Sequence, residues 1–166
     1  MLVDDPKLTV RLVKAGNPMR IIVDSKARTP PDAFVVRSAG QIPTVVATTV
    51  GASEARVERL RKAGVTVLRC GRGSRVSLPL LLTRLQKMGV RKLLLEGGGT
   101  LNWSMLRQGL VDQVSVAISP RILGGARSVT LAEGEGVGRI RDAVRLRLES
   151  VKRYGGDLVL FCRVLG

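Results

Sequence analysis

The chain has 166 residues, 45% hydrophobic and 25% charged, with 28 Lys and Arg against 13 Asp and Glu and a net charge of +15. That length suits one domain with a real core; no apolar run is long enough for a membrane span and the start has no signal-peptide pattern, so a cytoplasmic location is expected. Histidine is absent and the cysteines, Cys70 and Cys162, lie far apart, which excludes a His triad, a His general base, a Cys/His metal site and a disulfide framework.

Asp4-Asp5-Pro6 is a turn signal, residues 8–13 read as a first strand, and Gly16-Asn17-Pro18 breaks it. Residues 19–23, largely β-branched, read as a second and central strand that ends in Asp24-Ser25-Lys26, because Thr29-Pro30-Pro31 cannot continue it. A small strand is expected at 34–36 and a buried one at 44–47. Ser53 suits the N-cap of a helix over 54–62, stopped by Gly64, with a strand at 65–68 and a loop at 71–74 following. Ser77 can cap a helix over 78–88, with Pro79 in its first turn and Gly89 as its stop.

Next come a short apolar run at 93–95, read as a buried strand, and a helix over 101–108 ended by Gly109. Val114, Val116 and Ile118 alternate along a half-buried strand at 113–118, and glycine-rich loops occupy 120–125 and 133–138. Strands at 144–149 and 158–164 flank Tyr154-Gly155-Gly156-Asp157, the spacing of an antiparallel hairpin. Three strand–helix alternations in the middle imply parallel crossovers. The fold class is therefore α/β, a sandwich around one mixed sheet.

The stretch that organises the chain is Lys92-Leu93-Leu94-Leu95-Glu96-Gly97-Gly98-Gly99-Thr100-Leu101-Asn102-Trp103. Three glycines remove every Cβ from the turn, so a ligand can approach the backbone. The turn opens onto a helix N-terminus, whose unpaired N–H groups and dipole favour an anion such as a nucleotide phosphate. A plain flexible turn is the other reading, and the pattern is not G-x-G-x-x-G. The excess of cations admits a polyanionic partner, but aromatics are only 2% and the cations are spread along the chain. A phosphorylated small molecule explains the charge equally well.

The ordered blocks Asp4-Asp5-Pro6-Lys7-Leu8-Thr9-Val10, Asn17-Pro18-Met19-Arg20, Val23-Asp24-Ser25-Lys26, Ala47-Thr48-Thr49, the Glu96 glycine stretch, Gly109-Leu110-Val111-Asp112, Pro120-Arg121-Ile122-Leu123-Gly124-Gly125 and Gly134-Glu135-Gly136 stand at compatible spacing along the chain. Together they resemble the riboflavin-biosynthesis reductases, a family with a dihydrofolate-reductase-like fold. The resemblance implies a three-layer sandwich around one mainly parallel sheet with a C-terminal antiparallel hairpin. It implies a homodimer that uses NADPH to reduce the ribosylamino side chain of a pyrimidine 5′-phosphate to ribitylamino. The cofactor carries that chemistry, so the missing histidine is no objection.

By position, the resemblance places Asp4 near the nicotinamide and Asp24, Ser25 and Lys26 along the cofactor. Gly97, Gly98, Gly99 and Thr100 match the pyrophosphate loop, Glu96 an acid facing the pyrimidine, and Arg11 an arginine for the substrate's 5′-phosphate. Asp4 and Glu96 are the candidate catalytic carboxylates. Arg72 is a candidate for the 2′-phosphate on chemistry rather than motif, with a solvated loop residue as the alternative. A solvent-facing position on its strand is the alternative for Arg11. Family members carry a further N-terminal strand, helix and glycine-rich loop, so a truncated start is expected, with apolar sheet surface left open. An inactive relative that binds nucleic acid, and a reductase of another pteridine or pyrimidine, are the competing functions.

Overall fold

The computed structural model describes residues 5–125, 128 and 130–166. The chain divides into two compact units, Met1–Arg91 and Lys92–Gly166.

The first unit alternates β1 (Arg20–Val23), α1 (Phe34–Arg37), β2 (Thr44–Thr48), α2 (Glu54–Lys62), β3 (Thr66–Arg69) and α3 (Leu78–Lys87). The strands form a parallel sheet in the order β1-β2-β3, with Ile22 opposite Val46 and Val46 opposite Val67. β2 is buried along its whole length, and its Thr-Val-Val-Ala-Thr sequence is the near-continuous run that a parallel strand covered on both faces requires. Val46 packs with Ile22, Val35, Val36, Val57 and Leu60 in the core. Helix α2 supplies Val57 and Leu60 three residues apart, so one stripe is buried while its charged stripe meets water. The helices stop where sequence dictates: Gly64 and Gly89 take φ of +86° and +88°, which a side chain would resist.

Three sequence expectations change here. β1 lies at the edge of this sheet and β2 at its centre. Residues 34–36 belong to helix α1, because Val36 and Arg37 donate their N–H groups to Ala33 and the Val35 carbonyl accepts from the buried Arg20 guanidinium instead of a strand. Residues 8–13 are irregular: Leu8 sits at φ +50°, and Val10 N–H donates to Asn17 Oδ1 rather than to a strand.

The second unit holds α4 (Gly99–Arg107), β4 (Gln113–Ile118), a 3-10 turn (Ile140–Asp142), β5 (Leu146–Tyr154) and β6 (Asp157–Val164). Its sheet is antiparallel in the order β4-β6-β5. A bulge between Leu148 and Ser150 shifts β5 by one residue. Because of that shift Val151 comes opposite Leu160 on the face that already carries Leu148, Cys162, Val114 and Val116. Without it the side-chain period of two would turn Val151 to the polar face. Gly155, at φ +62°, makes the two-residue hairpin turn.

The expected strand at 93–95 does not form. No strand pairs with it among the described residues, and Leu93 and Leu94 are 43% and 80% exposed. Helix α4 begins at Gly99, two residues earlier than the sequence suggested. The α/β class stands, with parallel strands between helices and an antiparallel hairpin at the end. Hydrogen bonding groups these strands into two sheets where a single mixed one was expected.

Candidate functional site

At the carboxyl ends of the parallel strands, three loops are laced together. Asp24, which follows β1, is buried, and its carboxylate accepts from Thr29 N–H at 2.6 Å, Thr29 Oγ1 at 2.8 Å and Lys26 N–H at 3.3 Å. The carboxylate is thus committed to closing the 24–29 loop, which turns through Ala27 at φ +50°. Ser25 is the hub. Its carbonyl accepts from the hydroxyls of Thr48 and Thr49 and from Thr49 N–H, and its Oγ accepts from Val76 N–H at 3.1 Å. One residue therefore fixes the loops after all three strands.

The loop after β3 is pinched at its base, where Ser77 N–H bonds the Cys70 carbonyl and Val50 N–H bonds the Gly71 carbonyl. Gly71 sits at φ +110°, and a Cβ there would come within 3.3 Å of Ser77. The loop presents Arg72 and Arg75 to solvent, as the 24–29 loop presents Lys26. Neither arginine has a carboxylate within ion-pair distance among the described residues, whereas Arg69 beside them is taken by Glu54. Crevices at the carboxyl ends of parallel strands are where α/β proteins bind ligands. Structure thus brings Ser25, Lys26 and Arg72 to one edge, and turns Asp24 into the brace beneath them.

The second unit carries the glycine turn. Gly98 is the N-cap of α4, with no side chain capping it, and its carbonyl accepts from Leu101 and Asn102 N–H. Gly99 and Thr100 N–H have no backbone acceptor among the described residues, the usual state of a helix start. A Cβ on Gly97 would stand 2.8 Å from Leu101 Cδ2, and one on Gly99 2.5 Å from Glu133 Cγ. Asn102 donates through Nδ2 to the Leu131 carbonyl, while its Oδ1 is buried without a partner among the described residues. Glu96 is exposed at the entrance to the turn.

Arg11 is exposed on the irregular segment at 8–13, so the structure leaves its guanidinium open to solvent. Asp4 lies outside the described residues. The start of the described chain is nevertheless anchored: Asp5 Oδ1 accepts from Phe34 N–H, Lys7 Nζ lies 5.5 Å from the Phe34 ring centre, and the Lys7 carbonyl accepts from Arg20.

Two features escaped the sequence reading. Arg20 is 2% exposed on β1. Its guanidinium donates to Thr44 Oγ1, Ser38 Oγ and the carbonyls of Lys7, Val35 and Ile42, and burial pushes its pKa down. A lone arginine opening an apolar strand was the available signal. Glu133 is the other: its side chain lies against Gly99, a negative group at the positive end of α4. Nothing local in the sequence marks it.

With this geometry in view, relatives are informative. Residues 1–160 match the family described as RibD C-terminal domain. The chain is 47% identical over 169 residues to the 2,5-diamino-6-ribosylamino-4(3H)-pyrimidinone 5′-phosphate reductase of Methanothermobacter thermautotrophicus, covering 100% of this chain and 76% of that protein. It is 42% identical over 161 residues to the riboflavin biosynthesis protein RibD of Actinobacillus pleuropneumoniae, covering 96% of this chain and 43% of that one. Among solved structures, Acinetobacter baumannii RibD superposes with a TM-score of 0.80 at 23% identity, over 99% of this chain and 44% of that one. The riboflavin biosynthesis reductase Rib7 of Saccharomyces cerevisiae gives 0.72 at 22% identity, over 99% and 71%. The chain therefore spans about three quarters of the archaeal reductase and less than half of the RibD proteins. The shared fold is the dihydrofolate-reductase-like one.

Proposed function

The chain belongs to the RibD C-terminal domain family, and from that premise we propose that it reduces the ribosylamino side chain of a pyrimidine 5′-phosphate to ribitylamino in riboflavin biosynthesis, with NADPH as reductant. The observation that carries this is the helix α4 opening on Gly98 and Gly99, uncapped and free of any Cβ. Relatives named as reductases of this pathway imply a nicotinamide cofactor; NADPH rather than NADH is our assignment.

The residues present fit such a group. Gly97, Gly98, Gly99 and Thr100 would hold the pyrophosphate through backbone N–H groups and the helix dipole, on a turn where no Cβ stands between ligand and backbone. The resemblance also assigns Ser25 and Lys26 to the cofactor, Arg72 is added on its charge, and Asp24 holds the 24–29 loop in shape. When bound, NADPH supplies the hydride that reduces C1′ of the opened sugar. Glu96 accepts hydrogen bonds from ring amino groups of the pyrimidine, and Arg11 pairs with the 5′-phosphate. Without a histidine, Glu96 and Asp4 are the carboxylates assigned to hold a proton near the reacting carbon. One reductase domain over both units, working as a homodimer in the cytoplasm, belongs to the same proposal, since the family match runs through both units.

The test incubates the chain with NADPH and the ribosylaminopyrimidine phosphate, follows NADPH oxidation by absorbance and identifies the product by mass. A product heavier by two hydrogens is expected. Substrate returned unchanged by a chain that binds NADPH would overturn the assignment.

A further inference from the structure

Residues 130–134 of the second unit lie across the end of α4 on which the glycine turn opens. Asn102 Nδ2 donates to the Leu131 carbonyl at 2.9 Å. The Glu133 side chain stands so close over Gly99 that a Cβ there would come within 2.5 Å of its Cγ and 2.7 Å of its Cδ. Gly134, at φ +135°, passes against the Trp103 indole, where a Cβ would stand 2.9 Å from Cδ1. The bare Cα at 99 admits the glutamate and the bare Cα at 134 lets the backbone pass the ring, so both contacts depend on glycine.

Charge makes this more than packing. Helix α4 starts on Gly98 with no side-chain cap, and Gly99 and Thr100 N–H lack a backbone acceptor among the described residues. Glu133 brings a carboxylate to that positive end. It forms no ion pair among the described residues, and the hydrogen bond it accepts, from Thr130 N–H, is a long one at 3.4 Å. Residues 131–136 are all exposed, so burial does little to hold the segment down. One hydrogen bond, two glycine contacts and the field of a helix end make a local structure that opens easily. A pyrophosphate group carries more negative charge and more acceptor oxygens than one carboxylate, and like charges repel at this range.

We propose that residues 130–134 are an autoinhibitory strap. Glu133 is the built-in counter-ion of the α4 start, and a pyrophosphate group arriving at Gly98, Gly99 and Thr100 displaces it, carrying Gly134 off Trp103. The proposal rests on the glycine turn being the pyrophosphate site. The strap steadies the empty turn and weakens every anionic ligand that must displace it.

The test titrates the full chain with inorganic pyrophosphate in a phosphate-free buffer at about 0.1 M ionic strength, where distant charges are screened. Calorimetry gives the affinity. Pyrophosphate has no ring to absorb Trp103 emission, so a saturable emission change reports movement at Gly134. Glu-C protease, which cuts after glutamate, reads the strap at Glu133 and Glu135. Cleavage there should run several times faster with saturating pyrophosphate, because the displaced segment is open to the protease. Glu133→Gln should bind roughly fivefold tighter than the parent, the effect of removing one like charge beside the ligand in a largely aqueous setting. Glu135→Gln removes the same charge two residues on and should leave the affinity within about twofold of the parent. Unchanged melting temperatures certify the fold of both variants. A Glu133→Gln affinity equal to the parent's, an equal gain in Glu135→Gln, a silent Trp103 in a chain that binds, or slower cleavage with ligand would overturn the strap and leave the turn as the pyrophosphate site. Binding by Glu133→Gln alone would support the strap. Binding by neither the parent nor Glu133→Gln would refute the reading of the turn, and the strap with it.

Discussion

Gly99→Ala separates stability from binding. The added Cβ would stand 2.5 Å from Glu133 Cγ and 2.7 Å from its Cδ, closer than real Cβ contacts allow. Glu133 is exposed, so its side chain swings out, while its Cβ, 3.0 Å from the added one, obliges the backbone to give slightly. That movement forfeits a carboxylate near the positive end of α4, a loss of about 0.3–1 kcal/mol. Alanine in place of glycine in a helix returns up to about 1 kcal/mol. Folding stability should therefore change by no more than about 1 kcal/mol in chemical denaturation. Binding should respond differently, because the methyl group covers the N–H groups of the helix start. Loss of one charge-assisted bond to a pyrophosphate oxygen is worth about 1.5–3 kcal/mol, or roughly 10- to 100-fold in Kd. The assay is an NADPH titration of parent and variant, each checked by its denaturation curve. An affinity within twofold of the parent would refute the phosphate role of the glycine turn.

Three further outcomes follow from the same structure. Glu133→Gln removes the charge that lies where an anion would bind, so affinity for inorganic pyrophosphate should rise severalfold in calorimetry; a fall would mean Glu133 helps to hold the ligand. Thr44→Val strips the buried Arg20 guanidinium of an acceptor for both Nε and an NH2 group, and should cost about 1–3 kcal/mol in urea unfolding; a loss below about 0.5 kcal/mol would show the network to be replaceable. Burial pushes the Cys70 thiol up, only partly offset by the charge of Arg84. The folded chain then keeps that proton to higher pH than the unfolded one. Its stabilising effect is complete below the ordinary thiol pKa of about 8.5 and fades as pH rises through the folded value. Cys70→Ala should flatten the alkaline slope of stability, and an unchanged slope would assign it to other groups.

How much of this was legible depends on where the signal resides. Helices α2, α3 and α4 were readable because Pro79 and the glycines 64, 89 and 109 act within a turn of where they stand. β4 and the hairpin were readable from alternation and from Gly155-Gly156. The runs at 8–13 and 93–95 have strand composition, but a strand exists only through its partner, and composition does not supply one. The helical turn at Phe34–Arg37 was hidden for a related reason: it depends on Arg20, more than a dozen residues earlier, taking the Val35 carbonyl. In the site, the glycine turn announced itself. The Ser25 hub was matched by resemblance, although its hydrogen bonds span 23 to 51 residues and could not be read. Which of the many cations keep an acid was invisible, because that is decided only when Glu54 and Glu58 choose Arg61 and Arg69.

The most direct test of the central claim is a fluorescence titration of Trp103 with NADPH and, in parallel, with NADH. Trp103 is the only tryptophan and lies on α4 within a turn or so of Gly99, half-buried against Gly134. Saturable quenching with a tighter Kd for NADPH than for NADH is the predicted result. A folded chain whose Trp103 emission shows no saturable change with either nucleotide would contradict it.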